Sequence, residues 1–406
     1  MNLRLVTLSS LVVASVFACG RLDLGGYADL TPPDPPPGSV IPAPVSPNGG
    51  EPSAGGVASS AESGASGQPA AEEPQAQGGA PHGREPTPNP TGGAAGELGA
   101  GGAAGAPLEE KRSCRGLEEK CGRSNWQNCC AVEYVSPGEV VRGGLKEGEP
   151  ATPSHVSGFY LGVFEVTVSR FYAFLDHYDA WRASGAPRAG DGQHPLVPGS
   201  GWRPEWLRNA GDPPGSEGLG VSRAEVEDEV EECLKTPYVT DISNQPINCV
   251  SFFEAQAFCI WDGGRLPTDL EWEYAAAGGE LNLPYPWGTD PPTGDHAFFK
   301  CFSEVGSPCN ITPVGSHPQG KGRFGQLDLV GSVAEWTLDT VGPAYPVPCH
   351  DCANVEQVYV ENPRNTRGGH WNSNPEELAV QTNRFIPAWL HLAQQGIRCA
   401  YDGPQP

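Results

Sequence analysis

The sequence predicts an α+β domain with little regular secondary structure, preceded by a long unstructured tether. Three observations predict it. A strand-like alternation runs straight into helix-like spacing between 156 and 178. Two apolar helices with complete capping signals lie between 250 and 279. The remainder is turn-rich with scarcely any periodicity. The folded part, from about Cys114 to about Tyr401, is long enough for one substantial core.

The first element lies in VSGFYLGVFEVTVSRFYAFLDHY, Val156 to Tyr178. Apolar residues alternate from Phe159 to Val166, as in a half-buried strand. Thr167 or Ser169 then caps a helix whose Phe171, Phe174 and Leu175 share one face. Pro187 to Gly220, rich in Gly, Pro and Trp, reads as irregular. The acidic run EVEDEVEE, Glu225 to Glu232, reads as a solvated helix face rather than a binding site. In SFFEAQAFCIW, Ser251 is the N-cap and Glu254 closes a capping box. Phe253, Ala257 and Ile260 fall on one side. The next helix, TDLEWEYAAAG, repeats the device with Thr268 and Glu271, and Gly278 or Gly279 stops it. Beyond Tyr285, short strands separated by long loops are expected.

Composition divides the chain further. Residues 1–19 read as an export signal, too short for a membrane span. Residues 20–110 read as a disordered tether: 36 of these 91 residues are Gly or Pro, and Tyr27 is the only aromatic. Such a segment cannot bury enough apolar surface to offset its ordering entropy. As a Gly-rich coil it reaches about 55 Å. A Cys-rich segment, 111–132, leads into the domain proper, 133–402. The net charge of −24 leaves no basic stripe to neutralise phosphates or anionic lipid, so nucleic acid is excluded as a partner.

The chain has thirteen cysteines. In an exported protein these read as a disulfide framework, once Cys19 is set aside. The group Cys114, Cys121, Cys129 and Cys130 reads as disulfide-bonded rather than zinc-binding, with connectivity open. The C-x-x-C of Cys349 and Cys352 reads as a structural loop before a redox pair or half a metal site.

Several ordered blocks carry a resemblance. They are FCIWDGGRLPTDLEWEYAAAGG (Phe258 to Gly279), YPWG from Tyr285, PVGS from Pro313, DLVGSVAEW (Asp328 to Trp336), RGGHW from Arg367 and GIRCA from Gly396. With the strand-then-helix block FYLGVFEVT before them, they resemble the formylglycine-generating enzyme family, the sulfatase-modifying factor domain. The resemblance implies a fold related to the C-type lectin arrangement, held by disulfides and bound calcium. It also implies a disulfide between Cys259 and Cys399.

The family's second calcium stretch matches Asp328, Gly331, Val333 and Glu335. Its first and last positions supply side-chain oxygens and its middle two supply carbonyls, a suitable set for a hard cation. Most members carry Asn at the first position, and a carboxylate there strengthens divalent binding. The family's other calcium stretch corresponds to His296 to Ile311. The required Asp and Asn are missing there, and Cys301 and Cys309 read as a bridge in its place.

The family's oxidation needs two thiolates that hold copper(I). Those positions are Ser373 and Leu378. The family's Ser after RGG is His370, and a Trp of its GNxWEW motif is Ala334. The resemblance therefore implies an emptied catalytic site, with no catalytic residue and no copper expected. His317, His370 and His391 could converge on a new metal only by spatial accident. Trp371, Tyr345, Phe385 and Trp389 could line a groove like the one that holds an extended peptide in active relatives.

The ending VFAC resembles a bacterial lipobox, which implies lipidation at Cys19 and anchoring at the outer membrane or cell surface, the lipid being the only membrane contact. The leading expectation is a non-catalytic envelope lipoprotein whose domain is a calcium-stabilised binding or structural module, its partner a peptide, glycan or envelope protein. The alternative is a copper- or iron-dependent, O2-using oxidase or hydroxylase with a rearranged metal site.

Overall fold

The computed structural model describes residues 111–117, 120–123, 127–142, 152–212, 216–234, 243–301, 311–342, 345–356 and 363–404, all within one unit, Ala95–Pro406. The export signal with Cys19, the tether and Cys309 lie outside the described residues. Twelve short strands and four α-helices follow in chain order. They are β1 (Lys120–Cys121), β2 (Gln127–Asn128), β3 (Val132–Val135), β4 (Gly138–Arg142), β5 (Thr152–Val156) and β6 (Phe159–Gly162). Then come α1 (Val168–Ala183), α2 (Arg223–Leu234), α3 (Phe252–Trp261) and α4 (Asp269–Ala276). The chain ends with β7 (Ala334–Thr340), β8 (Cys349–His350), β9 (Pro363–Arg367), β10 (Asn383–Pro387), β11 (Gln395–Gly396) and β12 (Ala400–Tyr401). No described helix is long and apolar enough to cross a membrane.

The largest sheet has the order β10-β9-β7-β11, antiparallel except for the β7–β11 pair. A second, antiparallel sheet runs β12-β6-β3, a third runs β4-β5-β8, and β1 pairs with β2. One core gathers α1 and α3 with Trp206, Val226, Val230, Trp336 and Ile397. A second gathers α4 with Val156, Phe159, Leu161, Leu329 and Leu378. This is the α+β fold the sequence predicts, rich in loops and disulfides.

The capping signals hold. Ser251 with Glu254 and Thr268 with Glu271 each form both arms of a capping box. Gly278, at φ 71°, takes the left-handed conformation that ends α4 at little cost. Of the two candidate caps for α1, Thr167 accepts from the Arg170 N–H, while Ser169 Oγ donates to the Ser243 carbonyl.

The first strand departs from expectation. β6 stops at Gly162, although the apolar alternation continues to Val166. Residues 163–166 are buried but serve no single ladder: Val163 bonds Ala131 and Leu327, and Val166 bonds Ile397 and Ile247. The pattern there records burial on both sides of a hub, not a pleat.

The acidic run forms most of α2, solvated on one face and with Val226 and Val230 buried on the other. The Cys-rich group resolves into Cys114–Cys130 and Cys121–Cys129. Cys233–Cys249 ties α2 to the approach to α3, and Cys349–Cys352 closes its own small loop. Cys259–Cys399 joins α3 to the last strand, as the resemblance implies. Cys301 is also disulfide-bonded, so every described cysteine is oxidised.

Candidate functional site

The motif residues first build a buried ionic frame. On α4, Asp269 and Glu273 are four apart and share a face. Arg367, the arginine of RGG, grips Asp269 and reaches Glu273 at 2.8 Å, and Arg142 from β4 holds the same two carboxylates. Burial opposes charging Asp269, but the flanking guanidiniums hold its carboxyl below the usual range. Arg265 clamps Glu271 at 2.6 Å through two N–H groups. The i,i+4 acidic pair was the available sequence signal for this frame. Its partners, about a hundred residues away in the chain, were not legible.

The loop Asp328 to Glu335 curls tightly: Asp328, Gly331 and Ser332 have φ of 57°, 84° and 53°. It brings two of the four expected calcium positions to one buried charge cluster. Asp328 accepts the Gly315 N–H. Glu335 accepts the Trp272 indole N–H at 2.6 Å and pairs with Arg398 at 2.7 Å. Arg398 also donates to the carbonyls of Gly162, Val163 and Leu327.

A residue missed at the sequence level completes the cluster. Glu165, fully buried, accepts the Val333 N–H at 3.1 Å and the Ser332 hydroxyl at 3.0 Å, and so holds the curl. Burial first, then the charges of Asp328 and Glu335, push its carboxyl well above the usual range. Burial likewise raises Asp328 and Glu335, against Arg398. Three carboxylates thus face one guanidinium, which leaves two negative charges if all ionise.

Ser373 and Leu378, the positions expected from the resemblance to correspond to thiols, are also brought together. A Cβ placed on Gly369 would lie 2.9 Å from Leu378 and 3.2 Å from Ser373 Oγ, so both side chains flank this glycine. Neither side chain is exposed. Ser373 Oγ accepts the His370 N–H at 3.1 Å, and Leu378 belongs to the second core. Ala334, also buried, opens β7 opposite Gln395. His370 is nearly buried; desolvation, aided by the charge of Arg384, brings its imidazole down to about 4.

The three histidines do not converge. His317 meets the Gly294 carbonyl, His370 meets Arg384, and His391 meets Glu254 at 2.9 Å. The metal-compatible group among the described residues is a different one: Glu229, Glu254 and His391, with ligand atoms within 4.8 Å of one another. Arg208 already holds Glu229 at 2.6 Å, and Ser251 donates its N–H to Glu254.

Of the proposed groove residues, Phe385 and Trp389 are exposed and Trp371 is half-buried. Tyr345 belongs elsewhere. Its hydroxyl donates to Asp339 at 2.6 Å, and the Arg142 guanidinium lies 4.4 Å from its ring centre, within the second core.

Residues 119–403 match the sulfatase-modifying factor enzyme 1-like domain. Hercynine oxygenase from Mycobacterium tuberculosis is 33% identical over 171 residues, covering 41% of this chain and 39% of that protein. The inactive C-alpha-formylglycine-generating enzyme 2 of Mus musculus is 40% identical over 111 residues, covering 24% of this chain and 33% of that protein. Matches thus span well under half the length of these two curated relatives. Among solved structures, PvdO from Pseudomonas aeruginosa aligns over 67% of this chain and 94% of its own, with 22% identity and a TM-score of 0.43. With 285 of its residues inside the family match and the motif residues assembled as described, this chain belongs to the sulfatase-modifying factor enzyme 1-like domain family.

Proposed function

We propose that this chain is a non-catalytic member of the family, an exported, lipid-anchored protein whose domain serves as a calcium-stabilised binding or structural module. The observation that carries the reading is the pair Ser373 and Leu378. A serine hydroxyl is a hard, weak ligand and leucine is none, so a soft cuprous ion has no seat there. Both side chains are built into the interior as hydrogen-bond acceptor and core. Nor does any described cysteine offer a thiol, since all are in disulfides.

Calcium fits the Asp328 loop. The donors are oxygens, and a divalent cation would cancel the two negative charges that full ionisation of the cluster leaves. Asp328 and Glu335 would hold it by side chain, and Gly331 and Val333 by carbonyl.

The second reading, an oxidase or hydroxylase on another metal, has the Glu229, Glu254 and His391 group in its favour. Arg208 pairs with Glu229 there just as Arg398 pairs with Glu335 at the Asp328 loop, so a guanidinium at one ligand does not separate the two sites. Incubation of the purified full chain with a cysteine-containing sulfatase peptide, cuprous ion and oxygen separates the readings. No aldehyde is expected by mass spectrometry. Aldehyde formation, or stoichiometric iron or copper in the purified protein, overturns the module. Labelled fatty acid incorporation that is lost in Cys19→Ala tests the anchor.

A further inference from the structure

Seven arginines among the described residues are buried, and six pair with a carboxylate: Arg142, Arg170, Arg208, Arg265, Arg367 and Arg398. The seventh, Arg364 on β9, is 1% exposed and pairs with none. Its Nη1 donates to the Leu338 carbonyl at 2.8 Å, while Nε and Nη2 have no partner. Those two N–H groups lie on one edge of the guanidinium plane, the edge that forms a side-on fork with two oxygens. This protein uses that edge elsewhere: Arg367 holds Asp269, and Arg398 holds Glu335, through Nε and Nη2.

Among the described residues no acceptor meets the fork, and the carboxylate of Asp339 acts on Arg364 only through its charge, against the larger effects of burial and Arg203. The Arg364 guanidinium sits 4.2 Å from the Phe252 ring centre and 5.1 Å from that of Trp206. The Arg203 guanidinium lies 5.7 Å from the Trp206 ring centre, and Trp202 meets Trp206 edge-on at 5.3 Å. The indole N–H groups of Trp202 and Trp206 are buried and also lack partners. Buried donors left unsatisfied are costly, and most such groups in proteins find a partner. Cation–π contact offsets part of that cost but takes no hydrogen bond. Desolvation, then the repulsion of Arg203, brings Arg364 down to about 9, the reverse of its paired counterparts.

We propose that Arg364, with Arg203 and the indoles of Trp202 and Trp206, forms a binding site for the carboxylate of an exogenous ligand, held side-on by Nε and Nη2 against aromatic walls. The fork favours a planar two-oxygen anion over a spherical one. The aromatic walls favour a carboxylate on an apolar body. The free N–H atoms are sealed as the chain stands, so entry requires a neighbour to swing aside. Arg203, half-buried and tethered to the Val355 carbonyl, is that neighbour. The site shares no ligating residue with the Asp328 loop and does not depend on the calcium reading.

The experiment uses the purified full chain, followed by tryptophan fluorescence and thermal melting. Sodium benzoate is titrated against sodium chloride at matched ionic strength, and a short peptide with a free C-terminus against its C-terminal amide. Expected is a saturable fluorescence change with benzoate, with a dissociation constant on the order of 1 mM or tighter. Melting temperature should rise with benzoate and not with chloride. A response to the free peptide but not the amide would assign the carboxylate to a chain terminus; a response to benzoate alone would assign it to a small molecule. Arg364→Met should abolish the response, and Arg203→Gln should weaken it several-fold. Equal responses to benzoate and chloride, no saturable response to either carboxylate probe, or a response unchanged in the variants would overturn the site. Should Arg364→Met fail to fold, by near-UV circular dichroism, Arg203→Gln decides: an unchanged benzoate response there overturns the site.

Discussion

His370 shows how a buried imidazole takes its chemistry from its neighbours. Its Nδ1 faces the Asn372 N–H at 3.2 Å and its Nε2 faces Arg384 Nη1 at 3.3 Å. A neutral imidazole accepts at only one nitrogen, and an imidazolium at neither. Protonation therefore sets an N–H against a donor on both sides, beside a cation, in a buried place. Burial first, and then the charge of Arg384, brings the imidazole down to about 4, and the two facing donors act in the same sense. The unfolded chain takes up the proton near pH 6.5, so between about 6.5 and 4 it binds more protons than the folded chain, and stability falls as pH falls. Asp339 acts in the opposite sense. Pushed up to about 6 by burial and then by the charge of Asp269, it keeps a proton that the unfolded chain has lost, and costs stability as pH rises from about 4 to 6. The two slopes oppose each other, so the difference between wild type and a variant is the useful quantity. We expect His370→Gln to remove a loss on the order of 2–3 kcal/mol between pH 6.5 and 4. Urea unfolding of both proteins at these two pH values measures it. Equal slopes for the two proteins would exclude the buried neutral histidine.

At the scale of elements, the start of α4 concentrates several functions in four residues. Thr268 Oγ1 accepts the Glu271 N–H, and Glu271 accepts the Thr268 N–H while Arg265 holds both of its oxygens. His194 reaches the same carboxylate at 3.2 Å. The net effect keeps Glu271 ionised far below the usual carboxylate range in spite of burial. Thr268→Ala loses only a cap and should cost about 1 kcal/mol. Glu271→Ala strands a buried guanidinium as well and should cost roughly 3–5 kcal/mol. Chemical denaturation of both variants compares them, and similar costs would mean that the ion pair contributes little beyond the cap.

This helix also marks the limit of what the sequence carries. The capping box is a local signal, its two residues three positions apart, and was legible. The clamp from Arg265 was not, because nothing in a turn states which carboxylate its arginine will meet. Glu165 was harder still. It sits in an apolar alternation that reads as strand, and its partners Ser332 and Val333 are 167 and 168 residues away. Ser373 and Leu378 could be singled out only through the resemblance, by their short spacing from Arg367.

For the whole molecule, closure of the longest loop is the first quantity to test. Cys259–Cys399 spans 140 residues and joins the first core to the last strand. In the chain-entropy account its removal releases about 4–5 kcal/mol of constraint from the unfolded state. Cys259→Ser with Cys399→Ser should lower stability by that order, with strain or residual structure reducing it. The calcium site proposed at the Asp328 loop would add a ligand-dependent increment. Strands β6, β7 and β11, and the segment ending at Leu327, all meet at Arg398 and the three carboxylates. With all three carboxylates ionised, that junction would work against the fold it joins, leaving two negative charges uncancelled in an interior where charge is costly, and burial accordingly holds the three toward the protonated form. A divalent cation that binds only the folded chain should stabilise it by mass action, about 2.7 kcal/mol at a hundredfold excess over the dissociation constant. Melting should therefore shift upward with calcium and downward with a chelator. Asp328→Asn keeps the loop's hydrogen-bonding shape but removes one charge, so its calcium-free form should be more stable than wild type and its calcium response smaller. That crossed pattern distinguishes a cation site from a merely structural loop, in which the same substitution would leave the response to calcium unchanged.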